Sequence, residues 1–284
     1  MGKGDKFPLI KARLGYILTS MIKIVMTIAG SDPSGGAGVQ ADLKVFSALD
    51  VWGLSVFTSL TAQNSEEVEE TFPLSPEFVS RQLECLLKDG KPRAAKTGML
   101  LNSSVVEAVA EGVRRHNLEN LVVDPVMEAK GGEILLKEEG REILRERLLP
   151  LALVVTPNLK EAERLAGVRI EGRDDMRKAA SAIHELGPQW VLLKGGHLVG
   201  NPVDLLSNGK DLYEFGGQRV GGEGVHGTGC TLSAAIAAYL AWGKGVVEAV
   251  QLAKDYLSEA LHHTFKVGKG YPVLDHLYRW REGG

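Results

Sequence analysis

Cysteine is scarce. Cys85 and Cys230 are the two in 284 residues, too few for a disulfide framework or a four-cysteine zinc site. An excess of one charge is also missing: 33 lysines and arginines nearly balance 36 aspartates and glutamates, for a formal net charge of -3. That balance removes any electrostatic reason to expect a nucleic-acid or anionic-membrane partner. No apolar run is long enough for a membrane span. There is no internal repeat, no low-complexity tract and no linker that would split the chain in two. Extended disorder is excluded as well, because 44% apolar and 24% charged residues is ordinary globular composition. What the chain has in surplus is glycine, 34 against 11 prolines. With no collagen-like period, these glycines mark turns and places where the backbone closes on a ligand.

The N-terminus carries a faint outline of a secretory signal: residues 1–13 are polar and basic, and Leu14 to Ala29 is largely apolar. Ser20 and Lys23 interrupt that run, and Ile22–Ile28 reads better as a buried strand feeding a glycine-rich loop. Residues 1–20 are therefore expected to be a dispensable extension before Met21, and residues 21–284 a single domain of a soluble, cytoplasmic protein.

Apolar runs of strand length alternate with stretches of helical period, as an α/β sheet requires. Strands are expected at Ile22–Ile28, Leu54–Ala62, Ala94–Thr97, Leu121–Asp124, Ala152–Thr156 and Trp190–Lys194. Helices are expected at Val39–Leu49, Pro76–Lys88, Ser103–His116 (with Ser103 as its cap), Lys160–Ala166, Asp174–Leu186, Thr228–Trp242 and Val246–His263. Runs near Val203–Leu206 and Asp211–Phe215 suggest an antiparallel edge hairpin around Asn208-Gly209. The resulting fold class is a single doubly wound, mostly parallel sheet flanked by helices on both faces.

Ligands in such sheets sit outside the carboxyl ends of the strands. The segments that follow the strands are Gly30–Gly38, Gln63-Asn64, Gly98-Met99, Asp124–Met127, Thr156–Asn158 and Lys194–His197. Each carries glycine or functional polar side chains. Gly227-Thr228-Gly229-Cys230 opens a helix of small residues, where free amides and the macrodipole suit a phosphate or the oxyanion of a phosphoryl-transfer transition state. The alternative is a plain glycine turn. Cys230 stands where a helix N-terminus depresses a thiol pKa, so it is a candidate proton acceptor or else a packing residue. Cys85, among leucines, is expected to be core.

Gly30–Gly38 is neither a Walker A loop nor a dinucleotide fingerprint. It offers close backbone approach to a small molecule, with Asp42 as a cap or a pocket acceptor. Asp124, at a strand end, suits a hydrated Mg²⁺. Asn158 and Glu161 read as a capping box, as ligand groups, or as both. Lys194 suits a nucleotide phosphate or is merely solvated. An anion hole, acidic residues, a lysine and a glycine-lined cleft together form the set that phosphoryl transfer needs. No cluster of metal-binding histidines points to metal-assisted hydrolysis instead.

The strings Thr27–Lys44 (TIAGSDPSGGAGVQADLK), Ala62–Asn64, Lys96–Leu100, Val123–Met127, Thr156–Glu161, Lys194–Leu198 and His226–Ser233 (HGTGCTLS) occur in this order in a known family. The chain resembles the hydroxymethylpyrimidine and phosphomethylpyrimidine kinases of thiamine biosynthesis, in the ribokinase-like superfamily. The resemblance implies ATP- and Mg²⁺-dependent phosphorylation of 4-amino-5-hydroxymethyl-2-methylpyrimidine and then of its monophosphate. It places Gln63, Ala37, Asp42, Met99 and Val126 around the pyrimidine. Asn158, Lys194 and Gly196 fall on the nucleotide side, and Asp124 and Glu161 by the Mg²⁺. Gly227, Thr228 and Gly229 form the anion hole, and Cys230 takes the place where many sugar-kinase relatives carry an aspartate base. A homodimer is implied too. Pyridoxal kinases of the same subfamily are the alternative, and a non-catalytic pyrimidine-binding regulator is a third reading.

Overall fold

The structure, a computed structural model, describes residues 22–129, 131–196, 203–217 and 224–282. The extension 1–20, Met21 and His197-Leu198 lie outside them. Among the described residues, the central sheet has eight strands. β1 (Lys23–Ala29) leads through the glycine-rich loop into α1 (Gly38–Ala48), and β2 (Val51–Phe57) pairs with β1 in parallel. The chain then leaves the sheet for a hairpin, β3 (Ser59–Gln63) and β4 (Val68–Pro73). It returns through α2 (Pro76–Asp89) to β5 (Ala94–Thr97), on the other side of β1. α3 (Ser103–Arg115), β6 (Leu121–Val123), α4 (Glu138–Ile143), β7 (Val154–Val155), α5 (Leu159–Ala166), α6 (Arg173–His184) and β8 (Trp190–Leu193) extend the parallel array. β9 (Val203–Ser207) and β10 (Leu212–Gly216) close that edge as the expected antiparallel hairpin. α7 (Thr228–Ala241) and α8 (Val246–His262) follow, then short strands β11 (Thr264–Phe265) and β12 (Val273–Leu274) and a last helix, α9 (Tyr278–Glu282).

Two apolar layers hold the sheet between helices. On one face Val79, Leu83, Val106, Val109, Leu165 and Ile183 pack against Met26, Ile28, Val123 and Val155. On the other, Val45, Phe46, Ile236, Ala237, Val250 and Tyr256 cover Val25, Val122 and Val154. Alternate strand residues therefore feed opposite layers, and the strands read as unbroken apolar runs because both faces are covered. The chain order reverses between β1 and β5, which makes the carboxyl end of that pair the topological switch point where such sheets bind ligands.

Several details differ from the sequence reading. Leu54–Ala62 is not one strand. The chain turns at Thr58, which is fixed by its amide to the Ala29 carbonyl at 3.0 Å and by its Oγ1 to the Met99 carbonyl at 2.7 Å. The cap of α3 is Asn102, whose Oδ1 accepts the Val105 amide at 2.9 Å, rather than Ser103. Cys85 is exposed, because it lies off the stripe through which Val79 and Leu83 enter the core.

Candidate active site

A cavity of about 1070 Å³ opens at the carboxyl ends of β1, β5, β6, β7 and β8, with the β3–β4 hairpin on one side and the start of α7 on another. That volume is at the top of the usual range for a single small ligand, and it has room for two. Its wall brings together Ala37, Gln63, Met99, Val126, Asp124, Asn158, Glu161, Lys194 and the run Gly227 to Cys230.

The hairpin is what delivers Gln63. The Ser31 amide donates to the Ser59 carbonyl at 3.0 Å and the Thr61 amide to Ser31 Oγ at 2.9 Å, so the glycine-rich loop and β3 are joined. Thr61 Oγ1 donates to Gln63 Oε1 at 3.2 Å and orients the amide. Met99 and Val126 line the cavity after β5 and β6.

The helix start is shaped by glycine. Gly227 caps α7 with φ 84°, and a side chain there would overlap the Gly36 carbonyl oxygen. The first intrahelical bond runs from the Thr231 amide to the Gly227 carbonyl at 2.9 Å, which leaves the amides of Thr228, Gly229 and Cys230 without helical acceptors. The helix behind them is buried from Thr231 to Ala238, with small side chains at every position but Leu232 and Ile236, which lets it sit close against the sheet.

Opposite lies a charged cluster. Asp124 accepts from Thr156 Oγ1 at 3.1 Å, from Lys194 Nζ at 3.3 Å and from Ser233 Oγ at 3.2 Å. Although burial works against its charge, Lys194 and Lys96 hold the Asp124 carboxyl below its ordinary range. Burial pushes Glu161 up to about 7, with Lys194 pulling it down and Asp124 adding to the rise. Burial would strip the Lys194 proton, but Asp124 and Glu161 keep its pKa above the ordinary value. Lys194 is thus a paired, largely shielded cation, not a solvated one. Asp204 of β9 fixes the turn after it, accepting the Gly195 amide at 2.9 Å and pairing with Lys254. Asn158 and Glu161 do form the capping box of α5, with reciprocal bonds of 2.9 and 2.7 Å, while both also face the cavity.

Three expectations need correction. Asp42 is neither a cap nor part of the cavity wall: it is fully buried, held by Thr27 Oγ1 at 2.6 Å and by Lys96 Nζ at 2.9 and 2.8 Å. Gly196 is exposed and is not part of the cavity wall. Cys230 is not a low-pKa thiol. Burial pushes it up to about 11, with Lys96 opposing the rise and Asp42 and Asp124 adding to it.

Sequence reading also missed Lys96, Asp32 and His226, all in the cavity wall. Lys96 had a visible signal: a lysine inside Ala94-Ala-Lys-Thr97, a strand too central to expose it. Asp32 and His226 had none, since 194 residues separate them.

The model of the phosphomethylpyrimidine kinase family matches residues 32–275, which include the cavity wall from Asp32 to Pro272. The chain belongs to the phosphomethylpyrimidine kinase family. It is 46% identical over 264 residues to the hydroxymethylpyrimidine/phosphomethylpyrimidine kinase of Rhizobium meliloti, covering 92% of this chain and 99% of that one. The crystal structure of the phosphomethylpyrimidine kinase of Clostridium difficile 630 superposes with a TM-score of 0.77 at 44% identity, covering 84% and 99% of the two chains. The pyridoxal kinase of Staphylococcus aureus, solved with AMP-PCP and pyridoxal, superposes at 0.84 with 37% identity over 92% and 96%. Against the bifunctional thiamine biosynthesis protein ThiED of Geobacter sulfurreducens, the chain spans 52% of the length. No helix among the described residues is long and apolar enough to cross a membrane.

No group of three or more His, Cys, Asp or Glu among the described residues forms a protein-only metal site. Asp124 and Glu161, two carboxylates facing the same cavity, instead fit a hydrated Mg²⁺ that completes its shell with water and phosphate oxygens.

Proposed function

We propose that this chain phosphorylates 4-amino-5-hydroxymethyl-2-methylpyrimidine with ATP and then phosphorylates the monophosphate to the diphosphate. The observation that carries this reading is the position of the α7 start. The free amides of Thr228, Gly229 and Cys230 open onto the same cavity as Ala37, Gln63, Met99 and Val126 and as Asp124, Glu161, Asn158 and Lys194, with Gly229 near Lys194 and Asp124.

In this reading the pyrimidine sits by Ala37, Gln63, Met99 and Val126, where the donor and acceptor of the Gln63 amide match an aminopyrimidine edge and Met99 and Val126 pack on the ring. The triphosphate lies by Asp124, Glu161, Asn158 and Lys194. Lys194 neutralises phosphate oxygens, Asp124 and Glu161 hold the Mg²⁺, and Asn158 contributes on the nucleotide side. Mg²⁺, when bound, supplies charge neutralisation across the phosphates. As the hydroxymethyl oxygen attacks, charge builds on the migrating phosphoryl oxygens, and the α7 amides are aimed where it builds. Cys230 accepts the hydroxyl proton. With a thiol at about 11 in the free protein, it works as a base only when a bound cation or the departing charge favours the thiolate.

The reading takes residues 21–284 as one catalytic unit, with 1–20 an extension, acting as a homodimer in the cytoplasm, where free Cys85 and Cys230 thiols persist. A side-by-side assay with ATP tests it. Hydroxymethylpyrimidine should be turned over faster than pyridoxal. The reverse order would assign the chain to the pyridoxal kinases it superposes on, and absence of substrate-dependent ADP release would leave only a binding protein.

A further inference from the structure

We propose that His226 and Asp32 are a positioning pair that locks the glycine-rich loop onto the start of α7, so that the substrate pocket and the anion hole move as one frame. The inference rests on the kinase reading and adds two residues to it.

Asp32 organises the loop first. Its Oδ1 accepts the Ser34 amide at 2.9 Å and the Ser34 hydroxyl at 2.6 Å, and its Oδ2 accepts the Ala37 amide at 2.7 Å. The Asp32 amide donates to Gln40 Oε1 at 2.9 Å. The same Oδ2 then receives His226 Nε2 at 2.8 Å. Burial opposes the Asp32 charge, yet the bonds from His226 and Ser34 hold its carboxyl below the ordinary range, so the imidazole nitrogen is the donor. His226 is anchored in turn through its backbone, donating to the Pro272 carbonyl at 2.9 Å, and it immediately precedes Gly227.

Two further contacts join the same segments. Gly36 is pressed against the imidazole, since a Cβ there would lie 2.6 Å from His226 Cδ2, and Gly227 is pressed against the Gly36 carbonyl. The loop that carries Ala37 and the helix start that carries the amides and Cys230 are therefore joined at three points, and the Asp32–His226 bond is the one made by side chains. Transfer between two bound substrates tolerates little error in their relative placement: a shift of about 1 Å can cost roughly 100-fold in rate. A clamp between the element holding the acceptor and the element holding the phosphoryl group acts on that placement.

The test compares His226→Ala, His226→Gln, Asp32→Asn and the Asp32→Asn/His226→Ala double variant with wild type, in steady-state phosphorylation and in hydrogen exchange of the free protein. His226→Ala should lower kcat by about 30–100-fold and leave KM for ATP within about threefold. His226→Gln, which keeps a donor, should recover about tenfold of that loss. The double variant should be no slower than the slower single. Exchange at the Ser34 and Ala37 amides, both held by Asp32, should accelerate in His226→Ala with no substrate present. A His226→Ala enzyme with unchanged kcat, multiplicative losses in the double variant, or unchanged exchange at those amides would overturn the pair. Wild type inactive on the pyrimidine, with exchange still responding to His226→Ala, would instead refute the substrate reading and leave the clamp standing.

Discussion

Lys96 donates to both carboxylate oxygens of Asp42, at 2.9 and 2.8 Å, and both side chains are wholly shielded from solvent. Burial would release the Lys96 proton, but Asp42, Cys230 and Asp124 hold its pKa well above the ordinary value. The pair ties α1 to β5 at the cavity wall, close to the thiol of Cys230. Removing one partner strands the other in a dry site, so Lys96→Met should destabilise the fold by about 3–5 kcal/mol. Replacing both, as Asp42→Leu/Lys96→Met, should restore at least half of that. Denaturant unfolding checks this, and a double variant as unstable as the summed singles would contradict it.

Cys230→Ala should lower turnover by about 10²–10⁴-fold if the thiol takes the substrate proton. Because burial sets the free thiol at about 11, the base is in its active, deprotonated form only at high pH. In the free enzyme kcat/KM should therefore keep rising with pH through 9, and that rise should disappear in Cys230→Ser. A profile flat above neutrality in wild type would remove Cys230 from the role and leave the helix amides as the main catalytic device.

Gln63, the last residue of β3, is held by Thr61 Oγ1 and faces the cavity. Gln63→Ala should raise KM for the pyrimidine about 10-fold or more, the cost of one lost polar contact of roughly 1–3 kcal/mol, while KM for ATP stays the same. Equal effects on both substrates, measured by steady-state kinetics, would place Gln63 outside the pyrimidine pocket.

The alternation of apolar strands and amphipathic helices made the sheet legible, since parallel strands covered on both faces leave near-continuous apolar runs. The glycines of Gly227-Thr-Gly229 and the Asn158–Glu161 spacing likewise marked their helix starts. What could not be read was set by tertiary contact. The break at Thr58 has no glycine or proline to announce it, and arises from bonds to Ala29 at the end of β1 and to Met99 just after β5. Asp42 sits beside cavity-lining residues in sequence, but Lys96, on a strand 54 residues away, draws it inward. Burial likewise raises the Cys230 thiol where its place at a helix start predicts a lowered one.

His276 is buried, with its Nε2 bonded to Thr231 Oγ1 at 2.9 Å and its Nδ1 without a partner. Burial, with Lys44 nearby adding to it, lowers its pKa to about 4. Between about 6.5, the ordinary histidine value, and 4, the unfolded chain takes up a proton that the folded chain refuses, so stability should fall as pH drops through that window. The loss should be on the order of 2–3 kcal/mol. His276→Gln should flatten the decline, as read from denaturation midpoints between pH 7 and 4.5. An unchanged slope would assign the acid sensitivity to other groups.

The central claim is that the amides opening α7 neutralise the phosphoryl group in flight. A crystal structure with hydroxymethylpyrimidine and a nonhydrolysable ATP analogue tests it most directly. The account predicts the terminal phosphate within about 3 Å of the Thr228, Gly229 and Cys230 amides, with the hydroxymethyl oxygen on the side of Cys230 and Gln63. A terminal phosphate bound away from those amides, with the pyrimidine still seated at Gln63, would contradict it.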